Sequence, residues 1–263
     1  MLSALSQINI ELTSRCDRRN LCVWCGHQEP SVNHVLKYGD MEFALLVEIS
    51  WQVTPPIVIS FHRDGDPLVY PRLGEALRLF QNHPTSIVTH GQALSKRADE
   101  IIDNATTVTV SVIPKDPDRE IQLKSLRQFI EKKGDSRPML QLKFVGNVED
   151  PAPYEALGVP IIDRPLHNKG GSFHYVKREP PTPEIRVCQD FLSKPTVNWR
   201  GDFFQCNRLD GNNDGLLGSL YANTLDELWN GPKRREWLKA HMAGRRDLAN
   251  PLCASCDYWG LPA

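Results

Sequence analysis

The chain has 263 residues, with 31 Lys and Arg against 32 Asp and Glu, a formal net charge of -1, and 40% hydrophobic and 24% charged residues. This is the composition of a globular protein, long enough for one large domain or one domain with a small companion. The balanced charge excludes a global pull toward nucleic acid and leaves only a local basic patch for such contact. No apolar run has the length of a membrane span, so no membrane partner is expected, and Met1 to Gln7 lacks the basic start and apolar core of a secretion signal. The expected location is cytoplasmic and reducing, where seven cysteines read as metal ligands before disulfides.

In chain order, strand-like runs alternate with helical patterns. Ser6 to Leu12 is the first expected strand, and Cys16, Cys22 and Cys25 follow it. A helix is expected over Met41 to Gln52 and a strand over Ile57 to Phe61. Leu73, Ala76, Leu77 and Phe80 recur at helical spacing in Arg72 to Gln81, ahead of a strand over Ser86 to Thr89. A helix over Leu94 to Asn104 and a strand over Thr106 to Val112 come next. The helix expected over Asp118 to Lys132 carries Leu123, Leu126, Phe129 and Ile130 on one face. Met139 to Val145 and Val159 to Asp163 read as strands, with a short helix over Pro153 to Leu157 between them. Such alternation predicts an α/β fold with a parallel sheet and right-handed crossovers. Six strands are too few for a closed eight-stranded barrel, so a partial (β/α)6 barrel, open on one side, is expected over residues 1–170.

After Gly170 the rhythm stops. Glu179-Pro180-Pro181-Thr182-Pro183-Glu184 reads as a stiff linker. A small α+β extension is expected over residues 171–263. It begins with a hairpin, Thr196 to Trp199 and Phe203 to Cys206 about a turn at Arg200-Gly201-Asp202. A helix follows from Thr224 to about His241, with Thr224 and Glu227 placed for a capping box.

The chemistry concentrates in the cysteines. Structural zinc normally takes four protein ligands, whereas a four-iron cluster held by only three thiolates keeps one iron open. Cys16, Cys22 and Cys25 are three, in a polar loop at a strand's C-terminal end, where parallel α/β folds place their sites. Trp24 lies between the last two, as a cluster shield, an adenine-stacking ring or a core aromatic. Cys188, Cys206, Cys253 and Cys256 are four, with Cys-x2-Cys last, and can close a tetrahedral site for zinc or a four-iron cluster.

The motifs resemble those of radical S-adenosylmethionine (SAM) enzymes. That family's cluster motif is Cys-x3-Cys-x2-Cys with an aromatic before the third Cys; this chain has Cys-x5-Cys-x2-Cys and keeps the aromatic as Trp24. Asp64-Gly65-Asp66-Pro67 resembles the Gly-Gly-Glu-Pro segment that binds the SAM amino group, with Asp66 supplying the carboxylate one methylene shorter. Thr89-His90-Gly91 resembles Thr-Asn-Gly, and Ser111 stands where the family often has a Ser near the SAM carboxylate or ribose. The order of Cys188, hairpin, Cys206, the Leu225-Asp226-Glu227-Leu228-Trp229 helix and the final Cys-x2-Cys resembles the SPASM or shortened twitch extension.

The resemblance implies two [4Fe-4S] clusters, with zinc the runner-up at the second site, and reductive cleavage of SAM to a 5′-deoxyadenosyl radical. It also implies an external electron donor such as flavodoxin. Arg164, His167 and Lys143 are the candidate substrate-facing residues, with His62, Arg63 and His90 behind them. Lys233-Arg234-Arg235 and Arg245-Arg246 read as a solvated helix face or, alternatively, a phosphate-contacting patch. The spacing and the Cys-Asp-Tyr-Trp-Gly stretch further resemble a group often encoded by phages. Some of its members act in thymine hypermodification as isomerases that turn an N-linked amino acid on the base into a C-linked one. A DNA-base substrate and isomerisation are thus the leading expectation. Dehydrogenation of a small polyol or aminosugar comes second and peptide modification third; a zinc-binding module without catalysis is the alternative from another class.

Overall fold

The structure, a computed structural model, describes residues 5–18, 25, 38–54, 56–164, 187–208 and 210–256. The six expected barrel strands are present: β1 Gln7–Ile10, β2 Val58–Phe61, β3 Thr85–Thr89, β4 Thr107–Val112, β5 Met139–Val145 and β6 Ile161–Arg164. All five pairings among them are parallel. Helices α1 Phe43–Gln52, α2 Leu73–Leu79, α3 Ala98–Ile101, α4 Arg119–Lys133 and α5 Ala152–Glu155 stand between consecutive strands from β1 to β6. The expected helix over Leu94 to Asn104 is a 3-10 turn, Ser95–Arg97, running into the short α3.

Alternation along the strands sorts apolar from polar. Ile8, Ile10, Ile59, Phe61, Ile87, Val108, Val110 and Leu142 are fully buried with Leu46, Leu77, Leu123 and Phe129 from the helices. Burying one such side chain is worth about 1.5–3 kcal/mol, so this layer supplies the main driving force. The opposite face is polar. Asn9 pairs with Ser60, Ser60 with Ser86 and Ser86 with Thr107; higher up, Thr109 pairs with Gln141 and Ser111 with Lys143. Side chains in register share a face, so the inner face of the partial barrel is lined with hydrogen-bonding groups at its C-terminal end.

The sheet does not stop at β1. After α6 Gln189–Ser193, β7 Thr196–Val197 adds to β1 in parallel, and β8 Asp202–Phe204 and β9 Leu216–Ser219 follow antiparallel. The strand order is β6-β5-β4-β3-β2-β1-β7-β8-β9 in one nine-stranded sheet. The expected extension thus continues the barrel sheet from its first strand. The expected boundary at residue 170 and the linker lie outside the described residues.

The helix expected from Thr224 to His241 is two helices, α7 Leu225–Trp229 and α8 Pro232–Met242. Pro232 has no N–H to donate and takes the first position of the second helix, with Gly231 as its cap. The Thr224–Glu227 capping box is formed as read. A last helix, α9 Pro251–Ser255, carries Cys253. No helix among the described residues is long and apolar enough to cross a membrane.

Candidate active site

Cys16 leaves β1 at the C-terminal end of the sheet. Its loop is clamped from several sides. Asp66 N–H donates to the Arg15 carbonyl at 2.9 Å. Gly65 lies so close that a Cβ there would sit 2.0 Å from the Thr13 carbonyl oxygen, so only glycine permits this backbone contact. Arg18 forms a paired salt bridge with Asp116, both side chains 2% exposed, tying the cysteine loop to the loop after β4. His90 Nε2 is 2.7 Å from Asp17 and 3.2 Å from Asp66. Burial works against a charged imidazole, but the Asp66 and Asp17 carboxylates outweigh it and raise the pKa of His90. Burial, with the fields of Asp66 and Cys25 adding to it, pushes the Cys16 thiol up to about 12. Cys25 is half-buried; Cys22 and Trp24 lie outside the described residues.

Asp66 is a hub. Its carboxylate accepts from Leu68 N at 2.8 Å, Thr89 Oγ1 at 2.7 Å and His90 N at 2.9 Å. It therefore caps the Pro67–Val69 turn and joins the ends of β2 and β3. Gln122, fully buried on α4, donates to the carbonyls of His90 and Ser111 and accepts from the Tyr154 hydroxyl at 2.6 Å. It fixes the ends of β3 and β4 together. Ser111, Lys143 and Arg164 fall on one face: Ser111 pairs with Lys143, and Arg164, two residues beyond Lys143's partner Ile162, pairs with Val145. His167 and Lys169 lie outside the described residues.

Glu11 and Arg63 stand where the barrel meets the extension. Glu11 accepts from Asp64 N and Trp199 N, each at 3.2 Å, so one carboxylate holds the β2 loop and the β7–β8 turn. Burial pushes its pKa up to about 7, with Arg63 pulling the other way and Asp64 adding to the rise. The Arg63 guanidinium lies 4.3 Å from the Phe204 ring centroid.

The second set of cysteines is closed. Cys188 precedes α6, Cys206 follows β8, and Cys253 and Cys256 sit on and just after α9. All four are buried and line one pocket. Burial, followed by the fields of neighbouring thiols, pushes Cys253 up to about 12 and Cys206 well above its usual value. Gln205 Nε2 donates to Cys253 Sγ at 3.1 Å, Asn250 Nδ2 donates to Gln205 Oε1 at 3.0 Å, and Cys253 N donates to Asn250 Oδ1 at 2.9 Å. His241 Nε2 lies 3.5 Å from Cys253 Sγ, its ring stacked on Phe191. Arg208 and Arg246 also line the pocket, Arg208 paired with Asp190 at 2.7 Å and Arg246 donating to the Cys256 carbonyl. Four soft sulfurs inside a cationic shell fit a thiolate-bound metal centre of net negative charge.

Of the basic residues expected on a solvated helix face, or alternatively in a phosphate-contacting patch, Lys233 and Arg235 are exposed and Arg245 half-buried, but Arg234 and Arg246 are buried. Arg234 lies 3.4 Å over the Trp229 ring and donates to the Phe191 and Leu192 carbonyls, and Arg246 is buried beside Cys256. Lys233 donates to the Leu216 carbonyl and Arg245 pairs with Asp247. These cations brace the extension, because a long aliphatic stem carries a charge into packing that carbonyl acceptors then satisfy. Sequence reasoning passed over Glu11, Arg18, Gln122, Gln205 and His241. Only Glu11 left a trace, as an acid in an otherwise strand-like run.

Residues 188–257, which include all four C-terminal cysteines, match the family described as SPASM, an iron-sulfur cluster-binding domain. No curated protein matches the chain in sequence. Solved structures match its fold. BtrN in complex with AdoMet and 2-DOIA superposes at a TM-score of 0.63 and 18% identity, over 98% of this chain and 94% of that one. Streptococcus suis SuiB bound to the precursor peptide SuiA gives 0.63 at 13% identity, over 97% of this chain and 71% of SuiB. Native anSMEcpe with bound AdoMet gives 0.55 at 15%, over 89% and 83%. The fold is thus the partial radical SAM barrel with a C-terminal extension.

Proposed function

We propose that this chain is a radical SAM enzyme whose substrate lies between the two cysteine sites. The observation that carries the reading is the division of cysteines by the fold. Cys16 and Cys25 sit at the open C-terminal end of the barrel, and a buried quartet lies within the segment that matches an iron-sulfur domain. Cys16, Cys22 and Cys25 would hold one [4Fe-4S] cluster and Cys188, Cys206, Cys253 and Cys256 an auxiliary one. When bound, the first cluster and SAM supply a 5′-deoxyadenosyl radical able to take a hydrogen atom from carbon, and the protein's part is binding, orientation and exclusion of water. Asp66, Thr89 and His90 hold the ends of β2 and β3 in register for the methionine end of SAM, with Gly65, Pro67 and Ser111 forming the rest of the cradle. Lys143 and Arg164 share the inner face, which supports assigning them to substrate together with His167. With four thiolates an auxiliary cluster would be fully ligated, which suits electron transfer or structure better than substrate ligation.

The leading specific reading is an isomerase that rearranges an amino acid carried on a modified thymine. Dehydrogenation of a small polyol or aminosugar is the second, favoured by the likeness to BtrN, crystallised with AdoMet and 2-DOIA. An electron donor such as flavodoxin serves either. The test is anaerobic purification with iron and sulfide analysis, then SAM and dithionite with thymidine that carries glycine through its nitrogen on the base methyl carbon. Both the nucleoside and an oligonucleotide are tried, because a base in duplex DNA must first leave the stack. 5′-Deoxyadenosine with a product of unchanged mass supports isomerisation. No stimulation by either form, with both clusters intact, discards the thymine reading and promotes dehydrogenation, whose product is lighter by two hydrogens.

A further inference from the structure

Among the described residues, Arg63, at the seam between the barrel end and the four-cysteine unit, is the arginine with two buried side-chain nitrogens that lack a hydrogen-bond partner. Its side chain is only 6% exposed, and Nε and Nη1 are buried without a hydrogen-bond partner. The group is held in place nonetheless. Its Cζ lies 4.3 Å from the centroid of Phe204, the residue before Gln205 and Cys206, and its Nε is 3.4 Å from Asp64 without hydrogen-bond geometry. Buried donors are paired in all but a few cases, and an exception calls for an explanation such as strain, a water, an ion or a ligand. The other groups around the cation are acidic. Asp64 is adjacent, the Glu11 carboxylate is fixed by two backbone N–H groups, and Asp210 feels the same cation while holding Asp214 N and Gly215 N.

We propose that Arg63 reads a carboxylate on the substrate, and that the ligand group at this seam is an amino acid, its carboxylate on Arg63 and its amine facing the acids Glu11 and Asp64. The inference rests on the radical SAM reading of the site and narrows its substrate class. An aminosugar presents an amine and hydroxyls but no carboxylate, so it would meet the acids and bring no anionic acceptor to the Nε and Nη1 donors of Arg63. A carboxylate meets a guanidinium through short charge-assisted bonds and so discriminates against its neutral amide.

The experiment uses the full chain, reconstituted anaerobically and loaded with SAM. Binding is measured for glycyl-thymidine, its carboxamide, and the counterpart without the carboxyl group, to wild type, Arg63→Met and Arg63→Lys, with iron content and SAM affinity followed alongside. Wild type is expected to prefer the carboxylate by about tenfold or more, the scale of one charge-assisted contact. Arg63→Met should abolish that preference with SAM affinity and iron unchanged, and Arg63→Lys should restore part of it. A preference that persists in Arg63→Met overturns the proposal, and so does a loss of SAM affinity, which would give Arg63 to the SAM carboxylate. Should wild type bind none of the three, the thymine reading fails, and thermal shifts with glycine, acetate, methylamine and inorganic phosphate decide about Arg63. An Arg63-dependent response to glycine sustains the amino-acid class; a response to phosphate alone, or none, overturns it.

Discussion

The two cysteine sites solve opposite problems. At the first, Cys16 and Cys25 are half-buried in a loop held by charges: Arg18 on Asp116, Asp17 on His90, and Asp66 across the ends of β2 and β3. At the second, four buried thiols are enclosed by Phe191, His241 and Leu252, with Arg208 and Arg246 supplying positive charge. Reactive metal sites leave a coordination position open while structural ones are closed. A site that must admit a cofactor and a substrate cannot be sealed by packing, so its loop is fastened from outside by ion pairs. The closed site can use its own apolar surroundings.

The largest expected effect separates the two sites by content. Full reconstitution should give about eight irons per chain. Cys16→Ala should lose about half of them and all SAM cleavage, and Cys253→Ala should lose the other half with some cleavage retained. Zinc in place of iron at the quartet, or equal loss of cleavage in both variants, would break the comparison. Next comes Arg18→Met, which strands Asp116 in a site 2% exposed. Breaking a buried pair from one side costs about 3–5 kcal/mol. Urea denaturation should show a loss of that order, with iron at the first site more labile than at the second.

A smaller effect is electrostatic. The folded pKa of Glu11 is raised to about 7 from 4.5, so the folded state holds its proton where the unfolded chain has released it. The stability this group contributes is therefore present below pH 4.5 and lost as pH rises through 7. Burial sets the shift, and Arg63 and Asp64, which face the same carboxylate, lower and raise it respectively. Wild type compared with Glu11→Gln across that window should show the wild type losing stability relative to the variant as pH rises; parallel pH profiles would remove Glu11 from the account. The smallest change in fold is expected from Gln205→Leu, which removes the N–H···S bond to Cys253. Hydrogen bonds to ligand sulfur raise a cluster's reduction potential. An EPR-monitored redox titration should find the auxiliary cluster shifted to lower potential with iron content unchanged; an unshifted potential would leave Gln205 a packing residue.

Much of this was legible before the fold. Period-two and helical patterns in an alternating series fix a parallel sheet, and the strands and Thr224 cap fall where the residues place them, because these signals are local. The grouping of cysteines was also local: Cys-x5-Cys-x2-Cys lies in one loop and Cys-x2-Cys at one helix end. Tertiary structure alone decided the rest. That β7 pairs with β1 joins residues 9 and 196, which no spacing encodes. The bond of Arg18 to Asp116 spans 98 residues and that of Glu11 to Trp199 spans 188. The basic run at Lys233 to Arg235 reads as surface by composition, yet Arg234 is packed on Trp229. Long-range pairing of charges depends on which strand ends meet, and that is a property of the assembled sheet, since a side chain's partner is chosen by space while its local conformation is chosen by its neighbours in sequence.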